Sequence, residues 1–199
     1  MQKAPQPIKA NKLALSRASL AKTAQFTVTT VMAPKSGPKD TQVFQVAVSG
    51  VKARMDYKDK ALGEVCYVVN EKGSFFFIPS NKAAQKMNLK IEDGLATVFS
   101  QASDVLAGAQ KSGKATVAGI ACDVYKNPRT GSVVYLGTTP GFQLPVKLEI
   151  RNAGGVQTLQ ASNIKLNGSI PAAHFALPAG TQVIEGQHSG SPTGLSGSR

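Results

Sequence analysis

The stretch that comes nearest to catalytic chemistry is Gly108–Thr116, GAQKSGKAT. It approaches the phosphate-binding pattern GxxxxGK[ST], in which backbone amides cradle phosphates, a lysine reaches their oxygens and a hydroxyl holds Mg²⁺. Ala115 stands where the hydroxyl belongs. That loop also follows a strand and opens a helix, whereas this stretch ends a helical period and opens a strand. Its glycines read as a helix-ending turn.

The chain has two histidines. His188 and Ser189, in GQHSG, do not match the G-x-S-x-G nucleophile elbow and lie in a Gly/Ser-rich stretch. His174, between Ala173 and Phe175, reads as a loop residue. Nucleophilic catalysis needs a histidine aimed by a rigid scaffold. Cys66 and Cys122 have no CxxC spacing, and both sit in apolar, strand-like runs. Two buried thiols is one reading; a disulfide in an oxidising compartment is the other, and needs Cα atoms within about 7 Å. The acidic residues Asp56, Asp59, Glu64, Glu71, Asp123 and Glu149 are scattered. No enzyme, metal site or cofactor is expected.

Among 199 residues, 23 Lys+Arg outnumber 11 Asp+Glu, a formal charge of +12. Such a field favours anionic partners, an anionic membrane surface among them. The lysines form no block of five or six, which also suits a plain solvated surface. Binding of single-stranded nucleic acid needs exposed aromatic rings interleaved with basic residues. Here the phenylalanines sit among valine and isoleucine, so nucleic acid is not expected. No apolar run reaches the roughly 18 residues of a membrane span.

The elements that position these residues follow from periodicity. Residues 1–9 read as a disordered lead, 10–185 as one domain, and 186–199, GQHSGSPTGLSGSR, as a disordered tail. Leu13, Leu15, Ala18, Leu20 and Ala21 share a helical face. Alternating strands follow in AQFTVTTVMA, TQVFQVAVSG and VKARMDYKD; GEVCYVVNEKGSFFFIPS reads as a hairpin turning at Asn70–Gly73. KAAQKMN suits either a strand or a ragged helical turn. From Glu92 to Gln110 apolar residues recur at three and four (Leu95, Phe99, Ala102, Leu106), with Glu92 and Asp93 at the helix start and Lys111 and Gly113 marking its end. Strands then return to the end of the domain. Connections this short demand antiparallel pairing. The fold class is therefore α+β: a large curled antiparallel sheet of about ten strands, an unclosed β-barrel, capped by one or two helices.

The remaining signal is apolar capacity. Phe26, Val28, Phe44, Val46, Met55, Tyr67, Val69, Phe75 and Phe77, with Leu95, Phe99 and Leu106 of the helix, suit either a filled core or a ligand cavity between sheet and helix. Phe75 and Phe77 are placed toward that cavity, in phase with Tyr67 and Val69. Phe76 and Ile78 then face the other side and need cover from elsewhere.

Three motifs in order, CYVVNEKGSFFFIPSNKAAQKM, VAGIACDVYKN and FALPAG, resemble the LolA/LolB-like superfamily of bacterial lipoprotein carriers, over roughly residues 12–184. The resemblance is nearest to members of unassigned function. It implies an unclosed antiparallel barrel capped by helices, with acyl chains held between, in a soluble protein outside the cytoplasm whose signal peptide has been removed. Relatives bind other lipids, or act as sensors that bind partner proteins. The expected function is thus a non-enzymatic, monomeric carrier of a hydrophobic small molecule or lipidated protein; the alternative is an interaction domain with a filled core. GVKARMDY lacks the Arg-Pro step of the lipoprotein carriers, and the resemblance gives Arg54 a comparable helix-locking contact.

Overall fold

The computed structural model describes residues 19–88 and 90–185, except for the helix side chains at 91, 92, 94–98 and 100. The expected lead and tail, and most of the expected N-terminal helix, lie outside the described residues. At the described end of that segment Ser19 closes a 3₁₀ turn and the chain then becomes extended. Leu20 forms an isolated bridge with Phe142, and the Ala21 amide donates to the Gly141 carbonyl at 2.7 Å.

Five strands come first: β1 (Thr23–Pro34), β2 (Asp40–Ser49), β3 (Lys52–Asp59), β4 (Gly63–Asn70) and β5 (Gly73–Ile78). A short 3₁₀ turn leads to β6 (Ala83–Met87), followed by the helix α1 (Ile91–Leu106). The second half holds β7 (Gln110–Val117), β8 (Ile120–Lys126), β9 (Val133–Gly137), β10 (Pro145–Asn152), β11 (Gly155–Leu166) and β12 (Gln182–Glu185). KAAQKMN therefore resolves as a strand.

All twelve strands form one sheet in the order β12-β6-β5-β4-β3-β2-β1-β11-β10-β9-β8-β7, curled but unclosed. The pairings are antiparallel except β12 with β6, which is parallel. Short turns enforce this, and side chains fix them. The Asp59 carboxylate accepts from the Ala61 and Leu62 amides at 2.8 and 2.9 Å. Asn70 does the same for Lys72, and Asn152 for Gly154 and Gly155.

The helix begins where the Asp93 carboxylate accepts the Lys90 amide at 2.6 Å, favourable negative charge in the first turn. It stops at Leu106, short of the expected Gln110. Ala107 turns extended, Gly108 takes a left-handed φ of 82°, and the buried Asn127 amide donates to the carbonyls of Val105 and Ala107. Lys111 and Gly113 consequently belong to β7.

α1 packs over β8, β9 and β10. Phe99, Ala102 and Val105 join Phe26, Val28, Val46, Val146 and Leu148 in the main core, where Phe142 meets Phe26 edge-on at 5.2 Å. A second, smaller core of Cys66, Val68, Phe75, Phe77 and Ala84 is distinct from it.

Candidate functional site

Register decides what each side of the sheet offers. Phe26 pairs with Val46, Val46 with Met55, Met55 with Tyr67 and Tyr67 with Phe76. These side chains share the face that carries α1, since alternate residues of a strand point to opposite sides. Val28, Phe44 and Tyr57 form a parallel row on that face.

Burial divides the face in two. Beneath and beside the helix, Phe26 is 2% exposed and Val28 and Phe99 are at 0%; these are core residues with nothing left to offer a ligand. Phe44, Met55 and Leu106 are partly buried against that core. Toward β5, Tyr57, Tyr67, Val69 and Phe76 are half-buried. Leu95 has its side chain outside the described residues.

Four rings run across β2 to β5 in unbroken contact. Phe44 and Tyr57 have centroids 5.3 Å apart, Tyr57 and Tyr67 are stacked at 6.3 Å, and Tyr67 and Phe76 are tilted at 5.2 Å. Burial pushes the Tyr57 phenol up to about 12, with the neighbouring Tyr67 and Asp59 adding to it, and burial raises the Tyr67 phenol as well. Both phenols thus stay neutral across the physiological range. Beyond Phe76 the row meets the exposed Gln85, which pairs in turn with Ile184, 53% exposed. The arrangement is an aromatic shelf with one neutral polar pair, suited to binding rather than proton transfer.

Phe75 and Phe77 are not on this shelf. They pair with Val68 and Cys66, so they face the opposite side, and it is Phe76 that lies with Tyr67. The hairpin itself carried the signal. The Asn70–Gly73 pair fixes the register, and counting back from it puts Phe76 opposite Tyr67. Tyr57 and Phe76, absent from the expected site, take the places assigned to Phe75 and Phe77. Those two residues find cover in the segment after β11, whose Leu177 packs on the small core.

Arg54 also differs from expectation. It lies on the small-core side, away from α1, and grips its neighbour Asp56 through Nε at 2.9 and 2.8 Å. Its Nη1 donates to the His174 carbonyl at 3.2 Å and its Nη2 to Cys66 Sγ at 3.4 Å. It therefore fastens the C-terminal segment rather than the helix. Asn70 Nδ2 adds a second tie, to the Phe175 carbonyl at 2.9 Å.

No disulfide forms. Cys66 and Cys122 are both free and buried, one in the small core on β4, the other in the main core on β8. Six strands lie between β4 and β8, far beyond disulfide reach at about 4.8 Å per step. Burial, with help from Asp56, pushes the Cys66 thiol up to about 12 against the opposing pull of Arg54. Among the described residues, no group of three or more His, Cys, Asp or Glu side chains comes together to hold a metal.

No family model and no curated protein matches this sequence. Solved structures do resemble the fold. An uncharacterised conserved protein of Thermus thermophilus matches over 87% of this chain and 96% of its own, with 13% identity and a TM-score of 0.53. At that score the two chains share a fold. A LolA superfamily protein of Nitrosomonas europaea is similar over 82% of this chain and 94% of its own (12% identity, TM-score 0.42). A chain of the MucA/MucB complex of Pseudomonas aeruginosa is similar over 82% of this chain and 59% of its own (16% identity, TM-score 0.46). Within this fold, the aromatic shelf occupies the part of the helix-bearing face that α1 leaves aside. No helix among the described residues is long and apolar enough to cross a membrane.

Proposed function

We propose that this chain is a non-enzymatic, monomeric binding or carrier protein for a hydrophobic ligand, a lipid, acyl chain or lipidated protein, acting outside the cytoplasm. The observation that carries the reading is the half-buried row Phe44–Tyr57–Tyr67–Phe76, flanked by Met55 and Val69. A filled core would seal these side chains; a working surface leaves them accessible. Each ligand methylene buried there contributes about 0.8 kcal/mol, so a single acyl chain needs no charged anchor. The Tyr57–Tyr67 phenol pair provides a neutral hydrogen-bonding point for an ester or carboxyl end.

The test is displacement of a fluorescent fatty-acid probe, with native mass spectrometry of protein drawn from its natural source. Bound probe displaced by lipid, together with an adduct mass, supports the reading. A clean apo mass and no probe binding overturn it and favour the interaction-domain alternative.

A further inference from the structure

Charge is sorted between the two sides of the sheet. On the strands of the shelf and their neighbours, β1 to β6 and β12, the basic residues are Lys52, Arg54, Lys58 and Lys86. They pair with Ser49, Ala47, Glu64 and Phe75, positions that alternate with those of Met55, Tyr57, Tyr67 and Phe76. All four therefore lie on the side opposite the shelf. The helix α1, on the shelf side, contains Glu92, Asp93 and Asp104 and no lysine or arginine. In a chain of net charge +12, the strands that carry the shelf offer it no cation.

Asp59 supplies charge of the other sign. It follows Tyr57 by two residues on β3 and so shares the side of the shelf. The Leu62 and Ala61 amides donate to its Oδ1 and hold its carboxyl below the ordinary range, which keeps it ionised at neutral pH. Among the described residues no basic group pairs with it. Lys60, next along the turn, is engaged by Asp40 at 2.8 Å. The field of Asp59 reaches the row of rings, since it helps to raise the Tyr57 phenol.

Rings and carboxylate act in the same direction. An aromatic face is negative and attracts an ammonium group within about 6 Å of its centroid. The Tyr57 and Tyr67 rings are 11° from parallel with centroids 6.3 Å apart, so one cation centred between them can reach both. A neutral end gains neither attraction, and an anion meets ring faces and Asp59 with no basic partner. The excess charge elsewhere is screened beyond about 8 Å at physiological salt, so the nearby groups decide. Resting on the reading of the shelf as a lipid site, we infer that it prefers an amphiphile whose polar end is an alkylammonium over neutral or anionic amphiphiles of the same chain length. The ammonium lies toward Tyr57 and Asp59, and the chain runs along Tyr67 and Phe76.

The test holds the chain constant and varies the head. Decyltrimethylammonium, decanol and decanoate, each below its micelle concentration, compete with the uncharged fluorescent probe N-phenyl-1-naphthylamine at neutral pH and physiological salt. The ammonium compound should compete about tenfold more strongly than decanol, and decanoate more weakly than either. Asp59→Asn removes the charge and keeps the oxygen that the turn amides use; it should cut the preference for ammonium over alcohol about threefold or more. Tyr67→Leu, which keeps an apolar side chain and removes a ring face, should lower it likewise. Glu64→Gln removes a carboxylate from the opposite side of the sheet and should leave the preference as it is. Equal competition by all three compounds, or a preference for decanoate, overturns this inference and leaves the lipid reading standing. So does an ammonium preference untouched by Asp59→Asn and Tyr67→Leu, or lowered equally by Glu64→Gln. Competition by none of the three overturns both.

Discussion

At the residue scale, three consecutive phenylalanines do two different jobs. Phe75 and Phe77 are 4% and 3% exposed, inside the small core, while Phe76 is half-buried on the shelf. Phe77→Ala should destabilise by about 3–5 kcal/mol, the cost of a large buried ring and its cavity. Phe76→Ser should cost about 1 kcal/mol yet weaken fatty-acid probe binding at least tenfold; chemical denaturation and probe titration separate the two effects. Equal destabilisation by both would mean that the faces are exchanged. The buried cysteines give a second check. A thiol-reactive chromogen should find no thiol in the native protein and both after denaturation without reductant, since neither is in a disulfide.

Alkaline pH reads the same residues. Tyr57 rises from 10.0 to about 12 on folding and Cys66 from 9.0 to about 12, each chiefly because burial penalises the anion. The folded state therefore keeps protons that the unfolded chain releases. Their contribution to stability is complete below pH 9 and is lost as pH climbs toward 12. Denaturation midpoints should be insensitive to these groups up to about pH 9 and fall beyond it. Tyr57→Phe should flatten the part of the decline above pH 10, and an unchanged slope would contradict this assignment.

At the scale of elements, the C-terminal segment is a strap. It leaves β11 near the centre of the sheet, crosses the small core and adds β12 in parallel to the β6 edge. Leu177 packs on that core, while Arg54 and Asn70 hold the backbone carbonyls of His174 and Phe175. Arg54→Met should be costly because it leaves the half-buried Asp56 carboxylate without its guanidinium; adding Asp56→Leu should recover part of the loss, measured by a double-mutant cycle. A double variant no better than the single would show that the tie to the His174 carbonyl dominates.

The sequence made elements with a strong period legible and contacts between distant segments opaque. The helix, the β2–β3 and β4–β5 hairpins and the antiparallel sheet followed from periodicity and turn length alone. What failed was one register choice, although the Asn70–Gly73 turn contained the answer. A slip of one residue exchanges every side chain between faces, which moved Phe75 and Phe77 off the shelf and left Phe76 and Tyr57 out of it. The strap was invisible for another reason. FALPAG has no periodicity, and its ties to Arg54 and Asn70 span 120 and 105 positions, beyond any local pattern. The end of the helix was likewise set by Asn127, a residue twenty positions away from Ala107.

At the scale of the whole molecule, charge is unevenly neutralised. Asp40, Asp56, Glu71, Asp123, Glu149 and Glu185 each lie in an ion pair with a lysine or arginine. The excess of +12 therefore rests on bases beyond those pairs. Near an anionic membrane each such lysine or arginine contributes about 1 kcal/mol, but only within a Debye length, roughly 30 Å at 0.01 M salt and 3 Å at 1 M. Co-sedimentation with phosphatidylglycerol vesicles should therefore be strong at low salt, fall steeply as salt rises, and be weak with phosphatidylcholine at every salt concentration. Shelf and charge are separable in the same assay. Phe76→Ser should leave vesicle docking intact and abolish uptake of a lipid probe, because docking reads the field and uptake reads the rings. Docking that persists at 1 M salt and disappears in Phe76→Ser would instead make the shelf the membrane contact and the charge incidental.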